Sequence, residues 1–413
     1  MSPTETTQEP QEPQVFTVSS YDDAKETYRQ KDLRQALYDE GDIVMGDVLV
    51  NLHGDEHRAR RRLENRLFRR DTFQKYEREM FPPIIEETLK PYVADGHAEV
   101  VHLGHSMMMN LAAFTAGVDR PLGSPEETDR LYAYLMLFIE GATLAHATGD
   151  KEEIKAKIAD ALERWDAEFL SPSVQRRRTM IAQVAAGELD EVDLPRDVLT
   201  VLLRNQDNLN LPPHVIRREI AFYLLAGAHT SASALVRATH HIFEWIAAHP
   251  EDEQRMQSDR MFVQRCVHET VRLEPSSPVG MRWALEDITL SDGRSVPKGS
   301  KVIIDLMAVN RDISVFGPDA AEFNPYRALP DGVFPYGLSF GNGMHACIGQ
   351  DLAGGVLPHP QANQDDHLYG LVSGAVQALL THGARPDPDN PPQMSAATKR
   401  PYWGSYPIVF TKK

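Results

Sequence analysis

Residues 338–355 read LSFGNGMHACIGQDLAGG. The stretch holds Cys347, one of two cysteines in a chain of 413 residues, with His345 just before it and Gly341, Gly343 and Gly349 around it. Glycine permits tight turns and a close approach of backbone to a flat partner. A thiolate in such a loop accepts backbone N–H bonds, and CIGQDLAGG opens a helix whose positive end would face the sulfur. Those conditions suit a stable metal–thiolate bond. By itself, though, a single cysteine is ordinarily a small buried hydrophobe. A zinc site would need further cysteines or histidines at regular spacing, and Cys266 is remote in sequence.

Working outward, the composition is that of a soluble globular protein, with 42% apolar and 25% charged residues. A net charge of −17 argues against nucleic acid or an anionic membrane as a partner. No apolar run approaches the roughly 18 residues that span a bilayer. Residues 1–14, MSPTETTQEPQEPQ, read as a disordered acidic tail without the features of a signal peptide. Two cysteines without paired spacing give no disulfide framework. A cytoplasmic protein with a single domain over 15–413 is expected.

The pattern is mainly α with a smaller β region. QVFTVSS reads as a strand and YDDAKETYRQKDLRQALYD, from Tyr21, as one helix. Residues 55–245 carry apolar positions at three- and four-residue intervals. LPPHVIRREIAFYLLAGAHTSASALVRATHHIFEWIAAHP, from Leu211, predicts a helix of about thirty residues between paired prolines and Pro250, long enough to cross the core. Residues 282–305 read as strand, turn and strand, 311–345 as coil, and YPIVF near the end as a strand.

Phe340, Gly341, Gly343, His345, Cys347, Gly349, Leu352 and Ala353 stand where the haem-binding signature of the cytochrome P450 superfamily has its defining residues. The chain resembles that superfamily at other points too. HETVRL supplies Glu269 and Arg272, on one helix face and by themselves an ordinary surface pair. FNPYR supplies Phe323, Pro325 and Arg327 in the order by which the family locks its Glu-x-x-Arg pair. AGAHTS, from Ala226, aligns with the oxygen-binding segment of the family's long helix.

The resemblance implies the cytochrome P450 fold, with the long helix crossing over haem b, and Cys347 as the thiolate ligand of its iron. Phe340, Gly341 and Gly349 would flank the haem. His57 and Arg61, four apart on a helix, would hold propionates together with Arg282 and His345. Ala226 and Gly227 would leave room for O2, and Thr230 would hydrogen-bond it. His229 departs from the family, which has an acid there. It is either a core residue or a proton relay. Met45, Val48, Leu224 and Val279 are expected to line the substrate pocket. Arg58, Arg60, Arg62, Arg66, Arg69 and Arg70 form a basic cluster, either a solvated face or the proximal surface where a ferredoxin or flavodoxin docks.

The implied activity is monooxygenation of a partly apolar small molecule. Peroxide-driven, coupling or rearrangement chemistry, or a non-catalytic haem-binding sensor, are the alternatives. Two further departures bear on the pocket. The segment EGDIVMGDVLVN before His57 is short, and Pro358 and Pro360 should stop the helix after Ala353 until about Leu371. Together they predict an open pocket, or one completed by another molecule.

Overall fold

A computed structural model describes residues 12–144, 147, 149–358, 366–396 and 401–411. Most of the tail expected over 1–14, and Pro360, lie outside the described residues.

The long helix runs over Pro213–Ala248, 36 residues and about 54 Å at 1.5 Å per residue. It starts with proline in its first turn, where the missing N–H costs nothing. Its middle is buried on every side: Ala232, Leu235, Ala238 and Ile242 are fully buried on one face, and Ser233, Val236, Arg237 and Thr239 are buried on others. The helix Val100–Ala116 packs along it, and its Met107, Met108 and Met109 are also fully buried. Glycine brings the two backbones together. A Cβ on Gly227 would lie 3.2 Å from that of Ala112, and one on Gly104 3.3 Å from Leu235.

The β region is a four-stranded sheet in the order Val15–Val18, Lys301–Asp305, Val279–Ala284, Leu33–Gln35; the first pair is parallel and the others antiparallel. A three-stranded sheet joins His97–Glu99, Pro407–Phe410 and Ala384–Pro386. The expected single helix from Tyr21 is corrected here. It ends at Arg29, and Leu33–Gln35 is a strand paired with Arg282–Ala284. Sheet pairing buries Leu33 and Gln35 more fully than a solvent-facing helix would, so tertiary context overrides local propensity. The coil expected over 311–345 contains a short helical turn, Ile313–Phe316, capped by the Asp312 side chain. Among the described residues no helix is long and apolar enough to cross a membrane.

Glu269 and Arg272 are not a surface pair. Arg272, fully buried, donates from Nε and Nη2 to the two carboxylate oxygens of Glu269, each at 2.7 Å. Its Nη1 reaches the carbonyls of Asn310 and Ala320. Arg327 Nε joins the same carboxylate at 3.1 Å. The lock fastens the coil before the cysteine loop to the helix Arg260–Leu273.

After the cysteine the helix Gln350–Gly354 stops earlier than the prolines require. Gly355 takes φ +79° and Gly370 φ +86°, and the two meet: a Cβ on Gly370 would lie 2.3 Å from the Gly355 nitrogen. The helical path resumes at Leu371–Thr381. Gly355 and Gly370 therefore meet at one point, beside which Gln264 and His268 bond the Gly354 carbonyl at 2.9 and 2.7 Å. The segment before His57 is short but fastened as well. Both carboxylate oxygens of Glu219, on the long helix, accept from the Leu49 N–H at 3.1 and 3.0 Å.

Gly355→Ala is expected to lower stability by about 1–3 kcal/mol for the left-handed backbone alone, and further through contact with Tyr369. Gly293→Ala, at φ +86° but in open space, carries the backbone cost only. Chemical denaturation of the two variants would separate the terms, and equal losses would contradict the closure described here.

Candidate active site

A cavity of about 360 Å³ gathers most of the chemistry-bearing residues. Its wall includes Phe340, Gly341, His345, Cys347 and Gly349 from the cysteine loop, and Ala226, Gly227, His229 and Thr230 from the long helix. His57, Arg61 and Arg282 line it as well.

Cys347 is accessible, but into this cavity. Its N–H donates to the Phe340 carbonyl at 2.8 Å, which closes the loop. Gly341 and Gly343 turn it at φ +68° and +67°, and a Cβ on Gly343 would strike the Tyr28 carbonyl at 2.4 Å. Burial pushes the thiol's pKa up, against the Gly349 N–H and the charge of Arg61, which favour thiolate. A bound metal ion would settle that balance by holding the sulfur deprotonated.

One group of residues in the wall points to an anion. The rings of His57 and His345 lie 4.4 Å apart. Both nitrogens of His57 and Nε2 of His345 are buried without a hydrogen-bond partner. Arg61 Nη2 donates to the Ala346 carbonyl at 2.7 Å, and Arg282 donates to the Met281 carbonyl at 2.9 Å and to Gln35. Buried polar groups rarely go unpaired. A cationic, donor-rich rim beside an accessible thiol fits a flat metal complex that carries carboxylates on its edge. Burial, with the charges of Arg61 and His53, pushes His57 down to about 4.

Thr230 donates its hydroxyl to the Ala226 carbonyl at 2.6 Å, one turn back along the helix. His229 packs its ring 5.8 Å from His105 and 5.6 Å from Tyr402. Of the expected substrate contacts, Val279 lines the cavity, whereas Met45, Val48 and Leu224 are corrected: they are buried in the hydrophobic core. A helix turns 100° per residue, so a one-residue error moves a side chain off the wall. Leu49, Val50 and Leu225 line it instead.

The basic cluster is corrected at Arg60, which is buried and donates to Glu219 at 2.7 Å. Arg58, Arg62, Arg66, Arg69 and Arg70 are exposed, with Arg58 paired to Asp55. Beside Arg60 lies a second buried carboxylate that sequence reading missed: Glu64 accepts from the Tyr223 hydroxyl at 2.5 Å, and burial raises it to about 7. The four-residue step from Arg60 to Glu64 was the one available sign. Tyr402 is also new. It comes from the far end of the chain, lines the cavity and donates to the Ser276 carbonyl at 2.9 Å.

The family pattern "Cytochrome P450" matches residues 9–354, ending where the helix after the cysteine ends. Cytochrome P450 monooxygenase 91 of Postia placenta is 24% identical over 386 residues, 74% of this chain and 69% of that protein. The bifunctional cytochrome P450/NADPH--P450 reductase 2 of Bacillus subtilis is 28% identical over 226 residues. That match covers 49% of this chain and only 20% of the relative's length. In structure the fold is similar to CalO2, with a TM-score of 0.71 at 19% identity, covering 96% of this chain and 91% of that one. It is likewise similar to CYP109B1 of Bacillus subtilis, with a TM-score of 0.68 at 18% identity, covering 96% and 93%.

The buried histidines set a pH dependence. His57 and His268 are each lowered from 6.5 to about 4, chiefly by burial. As pH falls below 6.5 the unfolded chain takes up protons at these rings, while the folded chain does not until about 4. Stability is therefore intact above that window and declines through it as pH drops. Thermal melts of protein prepared without haem are expected to show falling midpoints across the window, with a shallower slope in His57→Gln.

Proposed function

The chain belongs to the cytochrome P450 family, and from that premise we propose that it is a haem-thiolate monooxygenase inserting one oxygen atom from O2 into a small, partly apolar organic molecule. The observation that carries the reading is the accessible Cys347 thiol in the same cavity as unpartnered His57 and His345. Haem b, when bound, would supply the iron at which dioxygen is activated.

The chain's residues divide the remaining work. Cys347 would hold the iron through its thiolate sulfur. Phe340, Gly341 and Gly349 would flank the ring, and His57, Arg61, Arg282 and His345 would hold the propionates through charge-assisted bonds. The small pair Ala226 and Gly227 keeps the long helix narrow where it borders the cavity. Thr230, whose hydroxyl donates to the Ala226 carbonyl, would offer a hydrogen-bonding hydroxyl at the cavity wall. His229 would carry protons in place of the family's acid, since imidazole takes up and releases a proton near neutrality. Leu49, Val50, Leu225 and Val279 give the substrate an apolar surface. Electrons would come from a ferredoxin- or flavodoxin-type protein, attracted by exposed Arg62, Arg66, Arg69 and Arg70.

The carbon monoxide spectrum of the reduced protein tests the ligand. The long-wavelength Soret band of thiolate ligation is expected in the parent and absent in Cys347→Ala; its survival in the variant would sink the assignment. His229→Ala is expected to lower product formed per electron consumed by about tenfold or more, and an unchanged ratio would remove His229 from proton delivery.

A further inference from the structure

Arg282 is a buried guanidinium that pairs with no carboxylate among the described residues. Such a charge is costly unless something anionic answers it. Its hydrogen bonds are confined to one nitrogen. Nη1 donates to the Met281 carbonyl at 2.9 Å and to Gln35 Oε1, while Nε and Nη2 have no partner among the described residues. Those two nitrogens carry N–H groups side by side on one edge of the planar group, an arrangement that meets both oxygens of a carboxylate. Arg61, on the same cavity wall, is occupied differently: Nε donates to Asn65 at 3.1 Å and Nη2 to the Ala346 carbonyl at 2.7 Å. The undivided edge belongs to Arg282.

Gln35 leaves that edge free. It ends the strand Leu33–Gln35, directly opposite Arg282 on Val279–Ala284 in the antiparallel register. Residues directly opposite one another project from the same face of a sheet. Both are buried, and both line the cavity. Gln35 Oε1 also accepts from the Ala36 N–H at 3.2 Å. Two donors converge on that atom, which assigns it as the amide oxygen and fixes how the amide is turned. The Tyr28 ring lies against the guanidinium, its centroid 5.0 Å from Cζ. The register itself is pinned on the other face of the sheet. Arg34 and Trp283 are the next pair along the two strands, and Asp39 ties them together. It accepts from Arg34 Nη1 and Nη2, each at 2.9 Å, and from the Trp283 indole at 2.7 Å. A slip of one residue would carry position 35 to that face and away from Arg282.

We propose that Gln35 is a positioning residue that acts through Arg282: by holding Nη1 it turns the Nε and Nη2 edge to a haem propionate. The inference rests on the haem-thiolate reading above. Without an acceptor at position 35, Nη1 loses one of its two partners and the guanidinium is free to rotate. Its nitrogens would then be divided between protein and propionate, and the two-point contact would be lost.

The test follows release of haem from the loaded protein to an excess of a haem-scavenging apoprotein, together with the propionate-bending bands of the resonance Raman spectrum. Gln35→Met keeps length and packing but removes the acceptor. It is expected to release haem about fivefold faster or more and to shift those bands, while the carbon monoxide spectrum stays that of a thiolate complex. In an Arg282→Met background the same change is expected to add nothing, because Gln35 acts through the guanidinium. Gln35→Glu keeps an acceptor for Arg282 but brings a charge that competes with the propionate. Relative to the parent it is expected to speed release more above neutrality than below it, and it carries the test if Gln35→Met does not fold. Parental release rates and Raman bands in both variants would overturn the proposal and leave the haem-thiolate reading standing. Equal acceleration with and without Arg282 would do the same. A parent that shows no thiolate band with carbon monoxide would end that reading, and this inference with it.

Discussion

The guanidinium of Arg272 is buried without solvent contact, and the cysteine loop depends on what it holds. Two of its nitrogens grip Glu269, and a third reaches the carbonyls of Asn310 and Ala320. Asn310 then extends the grip. Its amide donates to the Arg272 carbonyl at 2.9 Å and to the Ser339 hydroxyl at 2.8 Å, and its oxygen accepts from the Leu338 N–H at 2.8 Å. Position 337 is glycine, at φ +61°, and a Cβ there would lie 2.3 Å from the Asn310 amide oxygen. Leu338 and Ser339 immediately precede Phe340, whose carbonyl fixes the Cys347 N–H. Removing one member of such a network leaves buried charge unpaired, at about 3–5 kcal/mol.

A second buried ion group works on the other side of the cavity. Glu219 on the long helix holds Arg60 and the Leu49 N–H together, so the short segment bearing Leu49 and Val50 lies against the cavity. Glu64 and Tyr223 extend this group toward Arg61. Both ion groups join a helix to an irregular segment. Coil has no ladder of its own to position it, and fully bonded side chains supply the missing constraint.

The site was legible where the chain carries the motifs of the family it resembles, since spacing alone leaves a lone cysteine and a Glu-x-x-Arg pair as ordinary features. The cysteine loop, the four-residue step from His57 to Arg61, and the pairing of Glu269, Arg272 and Arg327 are patterns in which residue type and interval are both restricted. Reading failed where it depended on rotation about an axis. Leu224 and Leu225 are chemically alike, and only the packing of the long helix against Val100–Ala116 turns one into the core and the other to the cavity. Arg60 and Arg62 sit in one arginine run, yet one is buried on Glu219 and the other exposed.

Sequence by itself determined the helical body, the long helix bounded by prolines, the strand–turn–strand region and the loop around Cys347. Each of these follows from local rules of periodicity, capping and turn chemistry. Tertiary structure decided the rest. It split the expected helix from Tyr21 into helix and strand, because a partner at Arg282–Ala284 buried Leu33 better than solvent did. It brought Gly355 and Gly370 together across an excursion whose sequence reads only as a break. It also set His105 behind His229 and Tyr402 beside it. Such contacts leave no periodicity in the chain, because they are fixed by the packing of whole elements.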